Sequence, residues 1–169
     1  IPVNAALGSR PAGLSEQWAS APPALPPEDC PPMAYGWARA DDDIHRHLEL
    51  RTAKGRFGSA REGGLSEDGR ALIWVRPRDP ATVIDRVALA VIADFLPSGI
   101  GNALGRHAGG NSLDNTIRIR GLVPTIWVLC DIHIHAVDNG FGYGRMHLFS
   151  DTGFLMATAS QSLIIRVHD

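Results

Sequence analysis

Lysine is almost missing from this sequence: Lys54 stands alone against fifteen arginines, a bias that carries no functional information. Excess positive charge is missing too. Sixteen basic side chains face eighteen acidic ones, the net charge is −2 and no Lys/Arg run stands out. That excludes the charge-driven grip of a non-specific nucleic-acid binder. Cysteine is scarce, with Cys30 in a proline-rich stretch and Cys130 in a predicted strand. Two such thiols make neither a disulfide framework nor a metal cluster, and they suit a reducing compartment such as the cytoplasm. The longest apolar stretch, around Val87 to Leu96, is interrupted by Asp94. It falls short of the roughly 20 residues of a membrane span, so no membrane partner is expected. Ile1-Pro2-Val3-Asn4 has no basic or apolar leader character. It also lacks an initiating Met, which reads as a chain processed or cut from something longer. There is no Gly-x-Ser-x-Gly elbow, so an α/β-hydrolase serine mechanism is unsupported.

What is present is enough for one domain: 169 residues, 44% hydrophobic and 20% charged. Eight of the twelve prolines lie before residue 33. Such density disfavours ladder hydrogen bonds and favours extended backbone. Residues 1–40 therefore read as a linker, and a linker at this end implies a further domain upstream.

Beyond it the pattern changes. Residues 44–52 alternate as a strand, 55–69 form a glycine-rich loop, and 72–75 a short strand. Thr82 to Phe95 carries Val83, Val87, Ala90 and Val91 at helical spacing, with Thr82 as candidate N-cap and Pro97 with Gly99 as the stop. Gly99 to Gly105 could be mistaken for a phosphate loop. It follows a helix rather than a strand and lacks a Lys-Ser/Thr ending, so it reads as the turn after the helix. Four strand-like runs follow at 113–120, 126–137, 143–149 and 154–167, divided by Gly121, Pro124, Asn139-Gly140 and Asp151-Thr-Gly153. The last two form a hairpin. The order predicts an α+β domain, a largely antiparallel sheet on one helix.

Three polar residues are out of place for stability. Asp94 falls in the last helical turn on the row of Val83, Val87 and Ala90, where the macrodipole gives a carboxylate no support. A solvent-facing Asp just before the helix stop is the plain alternative. Gln161 is the single polar member of the row Leu155, Ala157, Ala159, Gln161, Leu163, Ile165 and Val167. A buried amide left unpaired costs about 1–3 kcal/mol, so it needs a fixed partner, either a structural bond across the core or a bound water. Ser112 opens the run Leu113–Arg120 with the parity of its polar side, unless a twist or bulge at strand entry turns it inward. A turn or capping serine is the plain reading there. His133 and His135 in Asp131-Ile-His-Ile-His, like His45 and His47, have a spacing that zinc ligands can have. No further ligand set completes a site, and no metal is expected.

These segments together resemble the second half of the acyl-CoA thioesterase II family, which carries two hotdog folds in one chain. Ile92-Ala-Asp94-Phe-Leu-Pro97 is similar to its helix end. Ser112-Leu-Asp114-Asn-Thr-Ile-Arg-Ile119 is similar to its Ser/Thr-apolar-Asp-His strand, and Asp151-Thr-Gly through Gln161 to its hairpin and Ala-x-x-x-Gln strand. The proline stretch with Pro-Pro-Glu-Asp is similar to the inter-domain connection. The resemblance covers about residues 22–168 in the family's order. Two departures stand out: Asn115 where a His is usual, and Leu163 where a Gly is common. The resemblance implies a hotdog domain over residues 41–169, an antiparallel sheet wrapped around one central helix, with the family's first hotdog absent. It implies hydrolysis of fatty-acyl-CoA by a water that Asp94, Ser112 and Gln161 hold, without cofactor or metal, and pairing with a second hotdog. The alternative is a hotdog that binds acyl groups or assembles without catalysis.

Overall fold

The computed structural model describes residues 3–9, 11–33, 43–57 and 63–168. Residues 1, 2, 10 and 34–40 of the expected linker and 58–62 of the expected glycine-rich loop lie outside these. Seven antiparallel strands form one sheet: β1 (Leu48–Lys54), β2 (Arg70–Pro77), β3 (Ala108–Ser112), β4 (Thr116–Ile119), β5 (Val128–Asp138), β6 (Phe141–Ser150) and β7 (Leu155–Val167). Their order is β1-β2-β5-β6-β7, with β3 and β4 both pairing with β7. The expected sheet around one central helix is what the chain forms. β5 turns into β6 through Asn139 (φ 47°) and Gly140 (φ 82°), the left-handed pair that a tight hairpin requires.

The helix differs from its sequence reading in length, cap and face. α1 (Arg86–Ala93) is capped by Asp85, whose carboxylate accepts from the Ala88 N–H at 2.8 Å. Thr82 instead closes a turn on Asp79. Pro97 is not the stop. It enters a 3-10 turn, Leu96–Ser98, where its ring is tolerated near the N-terminal end. The chain then continues as α2 (Gly99–Leu104), so the expected turn is helical. Gly105, at φ 63°, provides the left-handed end. The whole run, Arg86–Leu104, is 19 residues long and apolar enough to cross a membrane by length and composition. Its Leu89, Ile92, Leu96 and Ile100 are fully buried in this chain's own core, as befits a central helix. Val83 and Val87, two of the residues at helical spacing, are 76% and 69% exposed, and Val83 precedes α1.

Helix and sheet meet closely because β6 offers glycine there. A Cβ on Gly144 would lie 3.0 Å from Leu96 Cδ2 and 2.8 Å from the His133 carbonyl oxygen. Gly144 is the cross-strand partner of Gln161, so the close approach occurs beside the polar residue of the helix-facing row of β7.

The described part of the proline-rich stretch carries one 3-10 turn, Pro27–Asp29, and from Gln17 on it is fastened to the sheet. Gln17 bonds Gly153 O at 2.9 Å and the Leu155 N–H at 2.8 Å. Trp74 Nε1 donates to Leu25 O, and the Met33 N–H donates to Leu50 O. Cys30 joins Leu72, Trp74, Trp127, Leu129 and Phe149 in a second small core.

Candidate active site

Strand alternation puts Gln161 on the helix-facing row of β7, between Ala159 and Leu163, and it is 0% exposed. Its amide is fully engaged. Nε2 donates to Ala93 O at 3.3 Å and to Asp94 Oδ1 at 3.1 Å, while Oε1 accepts from Ser112 Oγ at 3.0 Å. A buried amide thus has the fixed partners it needs.

Asp94 is the C-cap of α1 and is exposed. Its backbone N–H bonds Val91 O and that of Phe95 bonds Ile92 O, both three residues back, so the helix tightens as it ends. Ser112 Oγ lies 3.3 Å from Asp94 Oδ1 and 3.0 Å from Gln161 Oε1. A hydroxyl has one proton, and the shorter contact is with the amide oxygen. Oδ1 of Asp94 is then held by Gln161, and among the described residues Oδ2 has no partner. All three predicted residues come together, with the carboxylate and hydroxyl on the surface and the amide beneath them.

Ser112 reaches this position because the predicted strand 113–120 does not exist as one piece. Ser112 closes β3 opposite Leu163, on the same side as Ala108, a core residue. The chain then bulges away from β7 before β4 begins. Asp114 Oδ1 accepts the Ser162 N–H at 3.1 Å where a strand carbonyl would otherwise do so. The break resets the parity and turns Ser112 to the helix side of the sheet, where it is exposed at the edge.

A groove of about 760 Å³ runs beside α1, lined in part by Ile44, Leu48, Val83, Val87 and Val91. Val87, Val91 and Asp94 are spaced i, i+4, i+7, a single stripe of the helix. The groove's lining on α1 ends at Val91 and Ile92, and none of the three predicted residues lines it.

The histidine pattern serves another arrangement. Asp131, buried on the outer face of the sheet, takes two bonds from Arg70, at 2.7 and 2.8 Å, and one contact of 3.1 Å with His133 Nε2. Burial lowers the pKa of His133 and of His147, with Asp131 pulling the other way. His135 stacks on Tyr143. Among the described residues no three His, Cys, Asp or Glu side chains converge as a metal site would need. Cys130 is fully buried and its thiol is pushed far up by that burial, which keeps it protonated and inert.

Sequence reasoning missed two contributors to the site, the Ala93 carbonyl and Asp114. The first was signalled by Pro97, four residues on. The second stood in plain view as a strand residue whose bond to the neighbouring backbone only the fold reveals.

Residues 27–165 match the acyl-CoA thioesterase C-terminal domain family. Among solved structures, a protein from Novosphingobium aromaticivorans DSM 12444 assigned as a thioesterase is 37% identical, with a TM-score of 0.76, over 94% of this chain and 58% of its own. A conserved hot dog protein of unknown function from Alicyclobacillus acidocaldarius is 22% identical with a TM-score of 0.76, over 95% of this chain and 60% of its own. An acyl-CoA thioesterase II from Mycobacterium marinum is 24% identical with a TM-score of 0.66, over 95% and 60%. The latter two likenesses concern the fold. This chain spans 58–60% of the length of these relatives. No curated protein matches it.

Proposed function

This chain belongs to the acyl-CoA thioesterase C-terminal domain family and has the hotdog fold, and from that premise we propose that it hydrolyses fatty-acyl-CoA to fatty acid and CoA. Ionised Asp94 takes a proton from a water that touches Asp94 and Ser112 and that Gln161 orients from beneath through its bonds to both. The water oxygen attacks the thioester carbonyl carbon, and the tetrahedral intermediate expels the CoA sulfur. The sulfur leaves with the proton that Asp94 held, which restores the carboxylate. Neither a metal nor a covalent acyl-enzyme enters this sequence.

The observation that supports the reading is the bonded set Asp94–Gln161–Ser112, a base, an amide and a hydroxyl at one surface point. Fixing a water at a carboxylate and a hydroxyl that a buried amide holds in place converts a diffusing nucleophile into one already oriented. The groove beside α1 fits the apolar chain of the substrate, with its reacting carbonyl at the Asp94 end. Asp94 and Ser112 are exposed on this chain, so a second hotdog laid on the β3 edge would shield the reaction from bulk solvent.

A non-catalytic acyl-binding role is favoured by one observation, Asn115 where the family usually has His. Incubating the full chain with acyl-CoA and a thiol-reactive chromophore separates the two. Continuous thiol release is expected. Saturable binding without release would establish the alternative.

A further inference from the structure

We infer that Pro97, which touches no reactant, orients the Gln161 amide by withholding a backbone N–H from the Ala93 carbonyl. The inference deepens the thioesterase reading and rests on it for its link to catalysis. In an unbroken α-helix over Arg86–Leu104 the carbonyl of residue 93 would accept from the N–H of residue 97. Proline has no N–H. Ala93 is fully buried, so water does not replace the missing donor. Gln161 Nε2 supplies it instead, at 3.3 Å from Ala93 O.

That bond decides which way the amide points. The oxygen and nitrogen ends of a carboxamide have nearly the same shape, and their partners alone tell them apart. The Ala93 carbonyl only accepts, so it draws the NH2 end toward the helix. The second N–H then falls on Asp94 Oδ1 and the oxygen end on Ser112 Oγ. A flipped amide would set its oxygen against two acceptors, Ala93 O and Asp94 Oδ1, and would leave the base without its donor. Pro97 is thus a positioning residue. An N–H at residue 97 would let the 3-10 turn rewind as α-helix, compete for Ala93 O and loosen the amide.

The test uses the full chain in three forms: wild type, Pro97→Ala, and a form with L-lactate at residue 97 introduced by nonsense suppression. Lactate lacks both the N–H and the ring. Only two glutamines occur, Gln17 and Gln161, so side-chain ¹⁵N-glutamine labelling gives two NH2 pairs, assigned by the loss of one in Gln161→Ala. For Pro97→Ala we expect kcat down by about tenfold or more with KM within about twofold. Hydrogen exchange of the Gln161 NH2 should quicken by roughly tenfold while Gln17 stays unchanged. Lactate should restore both to within about threefold of wild type. Pro97→Ser serves as the N–H-bearing variant where alanine fails to fold. Unchanged kcat and unchanged Gln161 exchange in Pro97→Ala would overturn the inference. So would a lactate form as impaired as alanine, because the ring and not the missing N–H would then be the cause. If wild type releases no thiol, the thioesterase reading falls, and the exchange measurements still decide whether Pro97 orients the amide.

Discussion

Asp94 Oδ1 and Gln161 Nε2 are 3.1 Å apart although 67 residues separate them in the chain. The contact joins a solvent-facing carboxylate to an amide with no exposure at all, so the carboxylate is accessible while its orientation is fixed from below. Asp94→Asn and Gln161→Ala are each expected to lower acyl-CoA turnover by about 10²-fold or more. Their stabilities should part company. Asp94→Asn alters an exposed group and should leave the unfolding midpoint nearly unchanged. Gln161→Ala strands the buried Ala93 carbonyl and should cost about 1–3 kcal/mol. Chemical denaturation beside a thiol-release assay reads both, and undiminished turnover in either folded variant would remove the mechanism.

Gly144→Ala tests the packing beneath the site. The added methyl would meet the His133 carbonyl at 2.8 Å and Leu96 Cδ2 at 3.0 Å. Backbone does not yield as a side-chain tip does, so a loss of about 1–3 kcal/mol is expected. Leu96 begins the 3-10 turn after Asp94, so turnover should fall with stability. A melting temperature equal to wild type would show that the helix has room to move.

Part of this arrangement was legible in the sequence. The alternation of β7 marks Gln161 as the odd polar residue of a core row, because a strand's period of two fixes its faces. The helix was harder to read. Apolar side chains occur on two stripes of the helical run, Val87–Val91 and Leu89–Ile92–Leu96, and periodicity does not say which of them meets the sheet. Pro97, Gly99 and Gly101 look like breakers. A 3-10 turn absorbs the proline, and Gly99 serves close approach, since a Cβ there would lie 2.7 Å from Ile132 Cγ2. Ser112 could not be placed because its parity depends on the bond from the Ser162 N–H to Asp114, a contact across 48 residues.

The pair Arg70–Asp131 gives a prediction outside the site. Asp131 is 4% exposed and accepts both guanidinium bonds, so Arg70→Ala leaves a buried carboxylate short of its counter-charge. A cost of about 2–4 kcal/mol is expected, toward the low end because Arg70 is itself partly exposed. Replacing both residues by apolar ones should recover most of it. A double variant no more stable than Arg70→Ala in urea unfolding would contradict the desolvation argument.

Strand β3 has Gly109 and Gly110 at its centre, and a Cβ on Gly109 would meet nothing within 4 Å. One side of the strand is ladder-bonded to β7, and an edge left open on the other is a template for pairing. Light scattering at micromolar concentration is therefore expected to show at least a dimer, or a complex with a second hotdog where one is supplied. A monodisperse monomer with full thioesterase activity would show that the domain works unpaired.

The outer-face histidines set an acid limit on stability. Burial lowers the folded-state pKa of His133 and His147; Asp131 opposes the shift, while Arg70 and Arg145 reinforce it. As pH falls through the ordinary histidine range near 6.5, the unfolded chain takes up protons first and is favoured. The contribution of the neutral imidazoles is thus whole above that pH and lost as pH drops toward their depressed folded values. Glu49 acts in a lower window. Burial would raise it, yet Arg76 and Arg51 outweigh burial and hold it below its usual value, so its contribution fades only under about pH 4.5. Between pH 7 and 5.5 the melting temperature should fall in wild type and fall less steeply in the double variant His133→Gln, His147→Gln. Parallel slopes in the two proteins would assign the acid sensitivity to other groups.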